Sequence, residues 1–170
     1  MQKSIALIVT AVALMGCSKK EPELPRCKPS PVGLVTWKRA PLKYIDASIL
    51  VPITAHQRLI PNDEGSLGEA WDDLGWAIYY KRDSTLTNHT VETSAQVTDM
   101  VTCIDTTSGM NAKVTLLHST ATSLSGEFGQ AEWALPKGGT LFVAVLTRQR
   151  TSRDSLLRIL QSVRFGKGGK

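Results

Sequence analysis

The segment Thr140–Thr147, TLFVAVLT, decides the fold, because it is the most hydrophobic of the segments with β-strand character. A continuous apolar run of this length is typical of a strand that is buried on both faces. A Pro-Lys-Gly-Gly turn at 136–139 comes directly before it. We therefore expect Thr140–Thr147 to be the central strand of a sheet.

The neighbouring segments predict partners for this strand in an antiparallel sheet. In Glu127–Leu135, alternation is expected to place Ala131 and Trp133 on one face, and Gln130 and Glu132 on the other. The remaining predicted strands are Ser48–Ile53, Trp76–Tyr80, Val97–Asp105 and Lys113–His118. In the first of these, Pro52 favours a position at a sheet edge or a strand end. A turn at 108–111 joins the last two.

Two segments have helical patterns. Ser66 and Glu69 form an S-x-x-E capping box, and Gly75 supplies a stop, so a short helix is expected near residues 67–74. A second helix is expected after Thr151. Its polar face would hold Arg158, Gln161 and Ser162, and its apolar face would hold Leu156, Leu157, Ile159, Leu160 and Val163.

The predicted fold class is α+β. An antiparallel sheet with an exposed apolar face and an amphipathic helix can bury both apolar surfaces by packing together. We expect the C-terminal helix to pack on the sheet in this way, with the short helix near residues 67–74 as the only other helix.

The order of elements in the second half resembles the Mog1/PsbP-like group, which includes small exported bacterial domains and lipoproteins. The resemblance covers roughly residues 97–165 at the level of element order and contains no specific motif. It implies a sheet sandwiched by helices, and a binding or assembly role rather than catalysis. The first half departs from it, because no long helix is expected between the early strands. The matching features are the strand with Cys103, the turn at Gly109, Trp133, the apolar strand Thr140–Val145 and the final segment Leu156–Phe165.

The first 16 residues have the parts of a secretory signal. Lys3 provides the charged n-region and Ile5–Leu14 the apolar h-region, which is too short to cross a bilayer. The sequence Leu14-Met15-Gly16-Cys17 then resembles the lipobox of bacterial lipoproteins. In that family the signal is removed before the cysteine, which receives the acyl chains that anchor the protein. The alternative is an ordinary signal peptide whose cleavage site lies near a cysteine.

The lipobox resemblance also predicts the location of the protein. In Gram-negative relatives, Asp directly after the acylated cysteine favours retention at the inner membrane, and this chain has Ser18 there. We therefore expect an outer-membrane lipoprotein that faces the periplasm, if the host is Gram-negative. The predicted organisation is a signal peptide at 1–16, an acylated tether at 17–32, a single α+β domain at 33–165 and a flexible tail at 166–170.

Cysteine usage agrees with export. With Cys17 acylated, Cys27 and Cys103 are the remaining cysteines, and an oxidising compartment favours a disulfide between them. Two buried free thiols are the alternative. No His or Cys lies at metal-ligand spacing from either residue, so neither a metal nor a cofactor is expected.

The charge is uneven along the chain. Residues 17–60 carry 8 basic and 3 acidic residues, residues 61–136 carry 3 and 11, and residues 137–170 carry 8 and 1. The basic ends would suit anionic headgroups or an acidic partner, whereas neutralisation across the folded surface is the simpler interpretation. Nucleic acid is not an expected partner, because the protein is predicted to be exported and has no aromatic-plus-basic motif.

No catalytic motif is recognised. His118, Ser119 and Asp105 are the components of a possible nucleophile arrangement, but neighbouring side chains on a strand point to opposite faces. The acid pairs Asp63-Glu64 and Asp72-Asp73 are the kind that glycoside cleavage uses, yet adjacent acids more often serve solvation.

The expected function is therefore binding to a protein partner in the periplasm, without catalysis. An inhibitor or immunity protein against a secreted toxin or hydrolase is the specific hypothesis. A structural or assembly lipoprotein, and a hydrolase with an unrecognised site, are the alternatives. The tryptophans are either core residues or part of a binding platform. The candidate partner surface consists of Asp63, Glu64, Asp72, Asp73, Trp71 and Trp76.

Overall fold

A computed structural model describes residues 23–43, 45–62, 65–71, 75–83, 97–120, 125–147 and 153–166. These residues are mostly antiparallel sheet with one helix, so the coarse form of the predicted fold class is confirmed. The elements are β1 (Trp37–Leu42), β2 (Ala47–Pro52), β3 (His56–Asn62), β4 (Gly65–Trp71), β5 (Trp76–Asp83), β6 (Val97–Asp105), β7 (Ala112–Ser119), β8 (Gly126–Ala134), β9 (Thr140–Thr147), α1 (Arg153–Leu160) and β10 (Arg164–Phe165).

The strands form two sheets. The larger has seven strands in the order β3-β4-β5-β9-β8-β7-β6, and the smaller has the order β1-β2-β10. Every pair of neighbouring strands is antiparallel. β9 lies fourth of seven and spans Thr140–Thr147, which confirms the prediction of a central strand with these limits. It joins the meander β3–β5 to the meander β6–β8.

The hydrophobic core lies on one face of the larger sheet. Leu141, Val143 and Val145 of β9 are completely buried there, and so are Ala131 and Trp133 of β8. This agrees with the alternation expected in β8. The same core cluster includes residues of β1, β2 and α1, so both sheets and the helix contribute to a single core.

Helix α1 contains buried apolar residues. Leu156, Ile159 and Leu160 are buried in the core cluster. Gly129 of β8 leaves room beside the helix, because a Cβ at this position would lie only 3.2 Å from Leu160 Cδ1. The polar face differs from the prediction. Gln161 and Ser162 are buried, because the helix ends at Leu160 and the helical spacing no longer applies beyond it.

The predicted short helix near residues 67–74 is wrong. Residues Gly65–Trp71 form strand β4, which pairs with β3 on one side and β5 on the other. A glycine in a helix interior costs roughly 1 kcal/mol relative to alanine, and this segment has Gly68 at such a position. Pairing on both sides therefore outweighs a weak capping pattern.

Gly68 is required where β4 passes Tyr80. The two residues are opposite each other in the β4–β5 register, and a Cβ on Gly68 would overlap the buried ring of Tyr80. We expect Gly68→Ala to lower the free energy of unfolding by about 2 kcal/mol or more, since overpacking a core displaces its side chains. Gly33→Ala is the matched control, because nothing lies within 4 Å of a Cβ at that position. Urea denaturation of both variants measures the difference, and equal midpoints would contradict this close approach.

Candidate functional site

Strands β3 and β4 place four aromatic and charged side chains together on the face opposite the core. In the antiparallel register His56 lies opposite Trp71, and Arg58 lies opposite Glu69. Directly opposed residues on antiparallel strands share a face and have close Cβ atoms. We name these four residues the Trp71 cluster.

Arg58 is the centre of the Trp71 cluster. Its Nε donates to Glu69 Oε2 at 2.7 Å, and its Nη2 lies 2.6 Å from the same oxygen. Its guanidinium carbon is 5.1 Å from the centroid of the Trp71 ring, a cation–π distance. The Arg58 side chain is 59% exposed and that of Glu69 is 13% exposed. The arginine is thus held from two sides while its outer surface faces solvent.

His56 and Trp71 complete the Trp71 cluster. Their ring centroids are 6.3 Å apart, with an interplanar angle of 44°. His56 is exposed and Trp71 is half-buried. Tryptophan and arginine are among the residue types that contribute most to protein–protein binding, and here the two side chains are fixed side by side. In the described ranges, no group of three or more His, Cys, Asp and Glu residues is arranged to hold a metal ion.

The second tryptophan of the predicted partner surface is on the other face of the sheet. Trp71 pairs with Ala77 in register, so the next residue along β5 toward the turn, Trp76, has the opposite orientation. Trp76 packs against the core and makes a T-shaped contact with Trp37, with centroids 5.2 Å apart. Trp71 and Trp76 are therefore not brought together on one surface.

The four predicted acidic residues, Asp63, Glu64, Asp72 and Asp73, lie outside the described residues, as does Cys17. The described neighbours of the two acid pairs are at opposite ends of the β3–β4 hairpin, with Asn62 and Gly65 at one end and Trp71 at the other. Six register steps separate those ends, about 20 Å along a strand.

A second polar pair lies on the core side of the larger sheet. His118 of β7 is opposite Glu127 of β8, and His118 Nδ1 is 3.1 Å from Glu127 Oε1. The histidine side chain is 38% exposed, and that of Glu127 is 16% exposed. Glu127 Oε2 is buried, and no donor from the described part of the chain lies within hydrogen-bond distance of it. The other components of the possible nucleophile arrangement lie elsewhere. Ser119 follows on the opposite face of β7, and Asp105 is at the far end of the β6–β7 hairpin.

Gln161 joins the N-terminal segment to the domain, and sequence analysis did not identify this role. Its Oε1 accepts from the Ser30 N–H at 3.0 Å, and its Nε2 donates to the Lys28 carbonyl at 3.2 Å and to Asp105 Oδ1 at 2.9 Å. The Ser30 hydroxyl also donates to the Asp154 carbonyl at 2.6 Å. A glutamine that follows an amphipathic helix carries no signal of burial in the sequence.

The same segment is fixed to the edge strand β6. Cys27 and Cys103 form a disulfide with their Cα atoms 5.1 Å apart. The Cys27 N–H donates to the Ile104 carbonyl at 2.9 Å, and the Ile104 N–H donates to the Pro25 carbonyl at 2.8 Å. Arg26 and Ile104 thereby form a parallel β-bridge. The described part of the predicted tether is thus docked on the domain from Pro25 onward.

Comparison with protein-family models, curated proteins and solved structures finds no match for this chain. The resemblance to the Mog1/PsbP-like group therefore stays a prediction from element order. In the described ranges, no helix is long and apolar enough to cross a membrane.

Proposed function

We propose that this protein is an envelope lipoprotein, anchored through acyl chains on Cys17, that captures a protein partner through the Trp71 cluster. In this proposal α1 covers the core face of the larger sheet, and the partner binds the opposite face at the β3 edge. If the host is Gram-negative, the lipobox pattern and Ser18 favour the outer membrane and a domain that faces the periplasm.

The observation that supports partner binding is the arrangement of Arg58 between Glu69 and Trp71. Ordering a long side chain on binding costs roughly 0.5–1.5 kcal/mol, and a side chain that is already ordered avoids much of that cost. Arg58 is held by hydrogen bonds and by the aromatic ring while it stays exposed. A preorganised arginine beside a half-buried tryptophan is the composition of a binding hot spot.

The specific form of the proposal is an inhibitor or immunity protein that neutralises a secreted toxin or hydrolase at the envelope. Such a protein needs affinity for its partner and the correct location in the cell, and it does not need to catalyse a reaction. The acidic region 61–136 supplies Glu69 and Trp71 of the Trp71 cluster, and its excess of carboxylates would steer a basic partner toward it. A structural or assembly lipoprotein is the alternative, and broad envelope defects on deletion would favour it.

The test is site-specific photocrosslinking in cells. A photoreactive amino acid at position 56 should give an ultraviolet-dependent adduct of higher mass on an immunoblot. We expect Trp71→Ala to reduce this adduct more than tenfold, because hot-spot residues contribute about 2 kcal/mol or more. Arg58→Gln should act in the same direction.

The matched control is Ile53→Ala. Ile53 is a 61% exposed apolar residue outside the cluster, so its truncation should leave the adduct unchanged. Each variant is checked for an unchanged urea midpoint. An adduct that persists at full yield in both cluster variants would contradict the proposed binding surface.

The His118–Glu127 pair supports hydrolysis as a second candidate function. A carboxylate that holds one ring nitrogen of a histidine leaves the other nitrogen available as a general base. Complementation with His118→Ala and Glu127→Gln separates the two functions. If the protein acts by binding, folded forms of both variants keep full function. Loss of function in folded His118→Ala with the crosslink at position 56 intact would favour the hydrolase.

A further inference from the structure

Two arginines lie on the outer face of the smaller sheet, on either side of its middle strand β2. Arg39 of β1 is opposite Leu50, and Arg164 of β10 is opposite Ser48, so both side chains share the face of Ser48 and Leu50. Both arginines are exposed.

The turn after α1 holds both guanidinium groups. Arg39 Nη1 donates to the Ser162 carbonyl at 3.0 Å and to the Ser48 hydroxyl at 3.1 Å. Arg164 Nη1 donates to the carbonyls of Gln161 and Val163, both at 2.8 Å. Hydrogen bonds from a charged guanidinium group to carbonyl oxygens are stronger than those between neutral groups. The turn therefore keeps two like charges near each other in fixed positions.

The arginines retain unused donors. The Nε and Nη2 groups of Arg39 and Arg164 have no hydrogen-bond partner among the described residues. No described carboxylate lies within 4.0 Å of either guanidinium group, since the ion pairs of the described ranges involve other residues. Partial burial and the positive charge of Arg164 lower the pKa of Arg39. This direction is the one expected for two neighbouring cations with no anion between them.

The docked N-terminal segment contacts Gln161, a residue of the same turn. Gln161, whose carbonyl accepts from Arg164, donates from its side chain to the Lys28 carbonyl. Pro25, the first docked residue, is eight positions from Cys17, so an extended tether spans at most about 28 Å. An acyl anchor on Cys17 would keep the docked segment, and with it the domain, within this distance of lipid headgroups.

We propose that Arg39 and Arg164 form a phosphate-binding site that takes the headgroup phosphate of an anionic phospholipid and orients the domain on the membrane. The membrane setting rests on the proposed acyl anchor, whereas the site itself does not. Planar guanidinium groups bind phosphate oxygens in a bidentate manner, and fixed arginines do so with little ordering cost. An acyl chain together with a basic site binds a membrane more firmly than either does alone.

The test uses residues 17–170 with Cys17→Ser, a chain that contains every described element and lacks the acyl anchor. Co-sedimentation measures its partition onto vesicles of phosphatidylcholine alone, or mixed with phosphatidylglycerol. We expect preference for the mixed vesicles, and about a 30-fold loss of partition in Arg39→Gln/Arg164→Gln, since each basic residue near an anionic surface contributes about 1 kcal/mol. The control, Arg82→Gln/Lys113→Gln, removes the same charge from exposed residues of the larger sheet and should lose at most about threefold.

A double variant that keeps the positive charges makes the test decisive even if the variant with two glutamines does not fold. Arg39→Lys/Arg164→Lys should still lose partition severalfold, because an ammonium group binds phosphate only as a point charge. The proposal is overturned if the arginine and control pairs lose partition equally, or if the lysine pair loses none.

Inorganic phosphate without vesicles tests the source of the phosphate. The arginine Nε–H signals in NMR spectra should shift with short-chain phosphatidylglycerol at concentrations where inorganic phosphate has no effect. The reverse order would overturn the lipid assignment. Neither result bears on the crosslink at position 56, so failure here is distinguishable from failure of the proposed function.

Discussion

Cys17→Ser is expected to abolish acylation of the protein and to leave residues 1–16 attached. A serine hydroxyl does not replace the thiol that forms the thioether in lipoproteins, and in that family the signal is removed only after lipid attachment. Metabolic labelling with a palmitate analogue should therefore show no label, and the intact mass should be that of the full chain. Loss of the acyl chains removes stable anchoring, because two or more chains are needed for it.

The control for this experiment is Cys27→Ser. It should keep the full label, because Cys27 lies in the docked segment and is not the predicted site of acylation. The lipoprotein assignment would be wrong if Cys17→Ser were cleaved before residue 17 and still partitioned into detergent. It would also be wrong if the wild-type protein carried no label.

Removal of the disulfide is expected to have the largest effect on stability. Cys27→Ser/Cys103→Ser, in the Cys17→Ser background, should lower the free energy of unfolding by about 4 kcal/mol according to the chain-entropy model. The bridge closes a loop with a sequence separation of 76 and fixes the docked segment to the edge strand β6. Urea denaturation with and without a reductant measures this change.

The reductant provides the internal control. It should lower the urea midpoint of the Cys17→Ser protein and leave the urea midpoint of the variant without the disulfide unchanged. Thiol labelling of the denatured, unreduced Cys17→Ser protein should find no free cysteine. Stoichiometric labelling of Cys27 and Cys103 would show that the protein contains two thiols rather than the bridge.

Strands with strong periodicity could be predicted from the sequence. The limits of β6 and β9 agree with the prediction to the residue, because each has turn residues at one end and a high content of β-branched side chains. The prediction of a helix at β4 is wrong, because Ser66 and Glu69 occur at a spacing that fits a capping box as well as a strand. The pairing of β4 with β3 and β5, which decides its structure, depends on residues that are distant from this local pattern.

The candidate site was predicted less well than the fold. The sequence offers Trp71 as a candidate, but the contact between Trp71 and Arg58 depends on the β3–β4 register, and the sequence pattern predicts no strand at β3. The orientation of Trp76 away from Trp71 also follows from register rather than from sequence separation. Arg39 and Arg164 are 125 positions apart in the chain, and the turn after α1 brings them together.

The position of β9 between β5 and β8 has a consequence for the order of folding. β5 and β9 are distant in the sequence, so their pairing closes a long loop, and high contact order slows folding. Until β9 is in place, the meanders β3–β5 and β6–β8 each present an open strand edge, which invites aggregation. A chain that crosses a membrane from its N-terminus would complete its larger sheet only after nearly all of its residues had emerged. For an exported chain, as proposed above, a holding chaperone that covers these open strand edges would limit aggregation.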